Sequence, residues 1–136
     1  MIRLKKSLGQ NFLIDKNIIK KIISLDNLKN QNILEIGPGS GSLTVPIIDK
    51  DIRKITLIEK DEKLYEILKI KFSNKKNVEI INQDILKYNL NNILLENVIV
   101  FGNLPYNIST QILANFLKVK VWPPFFKKII FMFQKE

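Results

Sequence analysis

The chain of 136 residues contains no cysteine and no histidine. This absence excludes disulfides, thiolate nucleophiles, imidazole acid–base catalysis and the zinc sites built from these side chains. The first residues carry scattered charges and no apolar run of the kind that a secretory signal requires. The uncharged stretch 97–117 includes four asparagines and a proline, which argues against a membrane span. We therefore expect a cytoplasmic protein that uses neither a metal nor a membrane.

Positive charge is concentrated at the two ends of the chain. Residues 1–30 carry seven basic and two acidic side chains, residues 118–136 carry five and one, and the middle carries ten of each. The net charge is +9. Basic ends around a neutral centre favour an anionic partner, and nucleic acid is favoured over a membrane because no basic amphipathic anchor is present. A general abundance of lysine is the alternative interpretation.

Short β-branched runs alternate with stretches that have helical apolar spacing. The predicted strands are Asn32–Ile36, Ile55–Glu59, Val78–Asn82, Asn97–Phe101 and Lys127–Phe133. Helical spacing is found around residues 18–23, 64–68 and 108–117. This alternation predicts an α/β fold with a doubly wound, mostly parallel sheet. Ligands bind such sheets at the carboxyl ends of the strands.

The first predicted strand ends in a glycine-rich segment that starts at Gly37, with glycines at positions 37, 39 and 41. Glycines at alternate positions allow a sharp turn and a close approach of backbone to a ligand. Glu59 ends the second strand, where a carboxylate can accept hydrogen bonds from ribose hydroxyls. A dinucleotide or another nucleoside cofactor fits both features, and a solvated Glu59 in a charged run remains the alternative.

Asp84 follows the third strand in the segment Gln83-Asp84-Ile85. Its carboxylate could accept a hydrogen bond from an adenine amino group. Aspartate is also a common helix cap. This residue alone does not distinguish the two roles.

The fourth strand leads into Asn103-Leu104-Pro105-Tyr106. An adenine amine is a weak nucleophile because its lone pair is delocalised into the ring, so it needs acceptors for its N–H groups and an aromatic plane to hold the base. Asn103 supplies a side-chain oxygen, and Pro105 donates no N–H, which leaves nearby carbonyl groups free to accept. Tyr106 supplies a stacking face for an extruded base. This turn predicts methyl transfer to an adenine amine, with Asn103 and Tyr106 as catalytic residues.

Together these segments resemble the bacterial small-subunit rRNA adenine N6,N6-dimethyltransferases, which are class I S-adenosylmethionine-dependent enzymes with a Rossmann-like fold. The matching segments begin near the amino terminus and run in family order. They are residues 6–13 (KSLGQNFL), residues 35–41 (EIGPGSG), Glu59, Gln83-Asp84, residues 101–110 (FGNLPYNIST) and residues 132–136 (MFQKE). The resemblance implies transfer of methyl groups from S-adenosylmethionine to adjacent adenosines near the 3′ end of small-subunit rRNA. The implied partner is this rRNA in a pre-30S ribosomal particle, and the implied role is in ribosome biogenesis.

The resemblance also implies individual roles for residues that bind the cofactor. Asn11 and Leu13 would close over the methionine end of the cofactor, and Gly37 would lie against its methionine portion. Glu59 would hold the ribose and Asp84 the adenine.

For the target adenosine, Asn103 would lie between the methyl donor and the amine, and Tyr106 would stack on the base. A complete domain of this family adds two strands and then a small helical domain. Residues 1–136 are therefore expected to form an incomplete S-adenosylmethionine-binding domain, truncated after the fifth strand.

Three other functions are alternatives. Macrolide-resistance methyltransferases of large-subunit rRNA are close relatives, but Gly9 and Leu104 favour the small-subunit enzymes. A non-catalytic RNA-binding assembly factor of the same fold is the second alternative. An NAD-dependent dehydrogenase built on the glycine-rich loop is the third, and it leaves the turn around Asn103 unexplained.

Overall fold

The computed structural model describes residues 15–105 and 107–133. The described elements are α1 (Lys16–Ile23), β1 (Asn32–Ile36), α2 (Thr44–Ile48), β2 (Lys54–Glu59), α3 (Glu62–Lys71), β3 (Val78–Asn82), a short 3-10 helix (Leu90–Asn92), β4 (Val98–Leu104), α4 (Ser109–Leu117) and β5 (Phe126–Phe133). No helix in these ranges is long and apolar enough to cross a membrane.

The five strands form one sheet in the order β3-β2-β1-β4-β5, and every neighbouring pair is parallel. The predicted doubly wound α/β architecture is therefore confirmed. The chain moves outward from β1 to β3 and then crosses back to place β4 on the other side of β1. This reversal makes the boundary between β1 and β4 the topological switch point of the sheet.

Apolar side chains of the sheet pack against helices on both faces. On one face α1, α2 and α3 contribute Ile19, Ile47 and Leu68 to a buried cluster. On the other face α4 contributes Ile112 and Phe116. The outer strand β3 is less covered than the sequence predicted, since its Val78, Ile80 and Ile81 are only partly buried and its other two residues are exposed.

Helices α1 and α3 each begin at an aspartate cap. Asp15 accepts hydrogen bonds from the Asn17 and Ile18 N–H groups, at 2.9 and 3.3 Å, and so begins α1. Asp61 accepts from the Leu64 N–H at 3.0 Å at the start of α3. Helix α2, which has five residues and contains Pro46, was not predicted from the sequence. Proline is tolerated there because the N–H groups of the first helical turn have no partner within the helix.

One strand boundary differs from the prediction in a way that affects the site. The fourth strand was predicted over Asn97–Phe101, but β4 extends to Leu104. The extension follows from pairing with β5, in which Asn103 lies opposite Met132 and Leu104 opposite Phe133. Asn103 is thus held within the strand ladder rather than in the loop that follows.

Candidate functional site

The carboxyl ends of β1 and β4 meet at the switch point. Ile36 pairs with Gly102 in the parallel register. The next residues, Gly37 and Asn103, therefore lie beside each other at the carboxyl edge of the sheet. Two segments predicted to be functional, far apart in sequence, border the same crevice.

The segment that follows β1 forms the sharp turn expected from its glycines. Gly37, Gly39 and Gly41 have φ values of +63°, +60° and +89°, which L-residues rarely adopt. A Cβ added to Gly37 would meet no atom within 4 Å, whereas one added to Gly41 would lie 3.4 Å from Lys71 and Phe72. The backbone at Gly37 therefore borders open space that a ligand can enter, and Gly41 packs against α3.

Glu59, at the end of β2, is buried with only 4% of its surface exposed. Its Oε2 accepts a hydrogen bond from the Gly39 N–H at 3.1 Å, and its Oε1 accepts from the Asp61 N–H at 2.9 Å. Burial raises the pKa of this carboxyl, while the two backbone hydrogen bonds act in the opposite direction. The alternative of a solvated Glu59 is therefore wrong. A carboxylate has about four lone-pair positions, so further donors can still be accepted.

A second buried acid, Glu35, lies on β1 and was not singled out from the sequence. It is 2% exposed, and its Oε2 accepts a hydrogen bond from the Thr44 hydroxyl at 2.6 Å. Desolvation raises the pKa of Glu35 to about 7, with the Thr44 hydrogen bond lowering it and the charge of Glu59 raising it. A lone acid between apolar residues of a buried strand was the signal that could have identified it.

Asp84 caps the turn that follows β3. Its Oδ1 accepts from the Leu86 N–H at 3.0 Å, and its Oδ2 lies 3.4 Å from the Lys60 ammonium. The capping role that the sequence left open is thus present, but at a turn rather than at a helix. The side chain remains 17% exposed, and its contact with an adenine amine stays a prediction.

The end of β4 is tightly packed beneath Asn103. A Cβ on Gly102 would lie 2.8 Å from Leu104 Cδ2 and 3.2 Å from the Phe131 ring, so any residue other than glycine requires the buried Leu104 side chain to move. This requirement was not recognised from the sequence. Asn103 itself is half-buried. The sequence predicted that carbonyl groups near Pro105 are free to accept hydrogen bonds. This is wrong for the Pro105 carbonyl, which accepts from the Ile108 N–H at 3.2 Å.

Three predicted site residues, Asn11, Leu13 and Tyr106, lie outside the described residues. Within the described ranges, the carboxyl edge of the adjacent strands β2, β1 and β4 brings together Glu59, Gly37 and Asn103. Asp84 follows β3, the strand beside β2. No group of three or more acidic side chains suited to a metal ion occurs in residues 15–105 and 107–133.

The family profile described as "Ribosomal RNA adenine dimethylase" matches residues 1–136. The chain belongs to this family. Among its relatives is the ribosomal RNA small subunit methyltransferase A of Pelagibacter ubique, 47% identical over 136 residues, covering 99% of this chain and 51% of that protein. The chain spans about half the length of the curated relatives it matches.

Solved structures of methyltransferases share the fold. The 23S rRNA methyltransferase ErmE superposes with a TM-score of 0.74 at 30% identity, covering 89% of this chain and 48% of that one. A dimethyladenosine transferase from Plasmodium falciparum has a TM-score of 0.76 at 27% identity, with coverages of 92% and 44%. The class I methyltransferase fold predicted from the sequence is therefore confirmed, as is membership of the dimethylase family.

Proposed function

We propose that this chain forms the S-adenosylmethionine-binding part of an rRNA adenine N6,N6-dimethyltransferase that acts on small-subunit rRNA. The observation that carries the proposal is the family match over all 136 residues. Relatives from several bacteria named small subunit methyltransferase A are 37–47% identical to it. Their name favours the small-subunit substrate over the large-subunit one.

The residues at the carboxyl edge suit a nucleoside cofactor. The open space at Gly37 allows the methionine portion to approach the backbone. Glu59 has lone pairs left for the ribose hydroxyls, and Asp84 is partly exposed towards solvent and able to accept from the adenine amine. Asn11 and Leu13 are proposed, from the resemblance alone, to close over the methionine end.

Bound S-adenosylmethionine supplies a methyl group that its sulfonium already makes electrophilic. The task of the protein is then to position the target amine and to exclude water. We propose that the Asn103 side-chain oxygen accepts an amine N–H and returns electron density to the nitrogen. The Tyr106 ring holds the extruded base by stacking. The amine loses its proton to solvent after attack, so no dedicated base is required.

The proposed partner is small-subunit rRNA within a pre-30S ribosomal particle in the cytoplasm. The net charge of +9 supports it, because lysine and arginine side chains neutralise phosphates without regard to sequence. The location follows from the substrate, since ribosomal particles assemble there.

The test uses the full-length protein with labelled S-adenosylmethionine and small-subunit particles that lack adenine dimethylation. We expect labelled dimethyladenosine in small-subunit rRNA and none in naked large-subunit rRNA. Asn103→Ala should abolish incorporation, whereas Asn92→Ala, which changes an exposed asparagine of the 3-10 helix, should not. Labelling of large-subunit rRNA alone would instead assign the macrolide-resistance activity. RNA binding without transfer would assign an assembly factor.

A further inference from the structure

The base of the glycine-rich loop holds two buried carboxyl groups on adjacent strands. Glu35 and Glu59 are 2% and 4% exposed. Glu35 pairs with Leu57 in the β1–β2 ladder, so Glu59 lies two residues further towards the carboxyl edge. Strand alternation places both on the same face of the sheet. The glycine-rich loop begins at Gly37, two residues after Glu35, and its Gly39 N–H donates to Glu59.

Neutral groups, rather than cations, hold both carboxyl groups. Glu35 accepts from the Thr44 hydroxyl, which joins the two ends of the loop, and Glu59 accepts from backbone N–H groups of Gly39 and Asp61. The ion pairs found among the described residues involve other acids. They are Lys54–Glu79, Lys60–Asp84, Lys69–Glu66 and Lys128–Asp26.

Groups from the two neighbouring strands and from α2 face Glu35. Glu59 faces it from β2, Thr44 from α2, and the apolar Phe101 from β4. Lys71 of α3 is bound to the same loop, through the Ser40 carbonyl at 2.9 Å. Two buried acids without a paired cation are electrostatically unfavourable when both are ionised. A cationic ligand at this loop would relieve that repulsion.

We propose that Glu35, acting with Glu59, makes the loop discriminate between cofactor and product by charge. This inference rests on the proposed function. The cofactor carries a sulfonium, whereas the product of methyl transfer carries a neutral thioether. Their amino, carboxylate and nucleoside groups are the same, so the charge on sulfur is the chief difference between the two ligands. The ionised Glu35 favours the cofactor over the product, and the protonated Glu35 does not.

Ionisation of Glu35 and binding of the cationic cofactor favour each other. Binding of the cation favours ionisation of Glu35, whose proton is released to solvent, and binding of the neutral product releases fewer protons. By linkage, the ratio of product Kd to cofactor Kd rises as pH increases through the range in which Glu35 ionises. Burial places that range near neutrality, because it raises the pKa of Glu35 to about 7.

Calorimetric titration of the full-length protein measures both affinities without turnover. S-adenosylmethionine and S-adenosylhomocysteine are titrated at pH 6, 7 and 8, in buffers of different ionisation enthalpy so that proton release is counted. We expect the Kd ratio to rise about fivefold or more between pH 6 and 8, the low end of typical coupling between sites. Glu35→Gln should keep the Thr44 hydrogen bond and make the ratio independent of pH. The control Glu79→Gln, on the outer strand β3, should retain the rise.

A flat ratio in the unmodified protein, or an unchanged rise in Glu35→Gln, would overturn the inference. If Glu35→Gln does not fold, Thr44→Val provides a second variant. It removes a hydrogen bond that lowers the pKa of Glu35, so the rise should move to higher pH, and a rise at the original pH would overturn the inference. Failure of both ligands to bind at every pH would instead overturn the cofactor assignment on which the inference rests.

Discussion

The buried carboxyl group of Glu35 should make the unliganded fold less stable as pH rises from 5 to 8. Its pKa is raised from 4.5 to about 7 in the folded chain, chiefly by desolvation. Between these values the unfolded chain has lost this proton and the folded chain still holds it. The unfolded state then binds fewer protons, so the free energy of unfolding falls with pH until both states are ionised.

The magnitude follows from the separation of the two pKa values. About 2.5 pH units at about 1.4 kcal/mol each give a loss of about 3 kcal/mol by pH 8. This is a large share of the 5–15 kcal/mol that stabilises typical domains, on the order of a third. Glu59, whose pKa is raised too, adds a loss of the same sign.

Glu35→Gln tests this reasoning because glutamine can accept from Thr44 but cannot ionise. Urea unfolding followed by circular dichroism at pH 5, 6, 7 and 8, without ligand, gives the free energy of unfolding at each pH. We expect the variant to lose much less stability between pH 5 and 8 than the unmodified protein. The quantity to compare is the slope of the free energy of unfolding against pH in the two proteins. The glutamine amide can shift the variant's stability equally at every pH, and such a shift leaves the slope unchanged. Parallel slopes would refute a neutral Glu35 in the folded chain.

Four further predictions concern binding, chemistry and packing. Glu59→Ala should weaken S-adenosylmethionine binding about ten- to hundredfold by calorimetry, because a charge-assisted acceptor worth roughly 1.5–3 kcal/mol is lost; equal affinity would remove Glu59 from the site. Tyr106→Ala should leave cofactor affinity nearly unchanged while methyl transfer falls, and Tyr106→Phe should keep most of the activity; a Phe variant as inactive as Ala would contradict the stacking role. Gly37→Ala should impair cofactor binding more than stability, since its Cβ enters open space, although its φ of +63° adds a cost of about 1–2 kcal/mol. Gly102→Ala should instead destabilise the fold by roughly 1–3 kcal/mol in urea unfolding, because its Cβ overlaps Leu104, and the reverse pattern would contradict both assignments.

The sequence predicted the strands well because buried parallel strands are continuous apolar runs. Asn32–Ile36 has the predicted bounds, and so does Val78–Asn82, although that outer strand is only partly buried. The extension of β4 to Leu104 was missed because it depends on pairing with β5, which a local pattern does not reveal. Helix α2 was missed for a different reason, because its five residues are too few to display helical periodicity.

Within the candidate site, the sequence predicted residue positions better than residue partners. Gly37 and Asn103 were selected separately, and the register of β1 with β4 brings them together. The Glu35–Thr44 hydrogen bond was missed because it requires the loop to fold back on its own strand. The packing of Gly102 against Phe131 is likewise a tertiary contact.

The pairing of β1 with β4, called here the β1–β4 seam, also determines at which stage of folding the crevice can form. Ile33 pairs with Ile99, so the strands that border the crevice are joined only after the intervening β2 and β3 have been made. During synthesis, β1, β2 and β3 can pair with one another before β4 has been made. The crevice can form only after β4 has been made. Contacts of such sequence separation form late because closing the loop between them costs chain entropy. A ligand that contacts both β1 and β4 would stabilise the pairing of the two strands. Ligand binding should therefore protect the amides of β1 and β4 from hydrogen exchange more than those of β3.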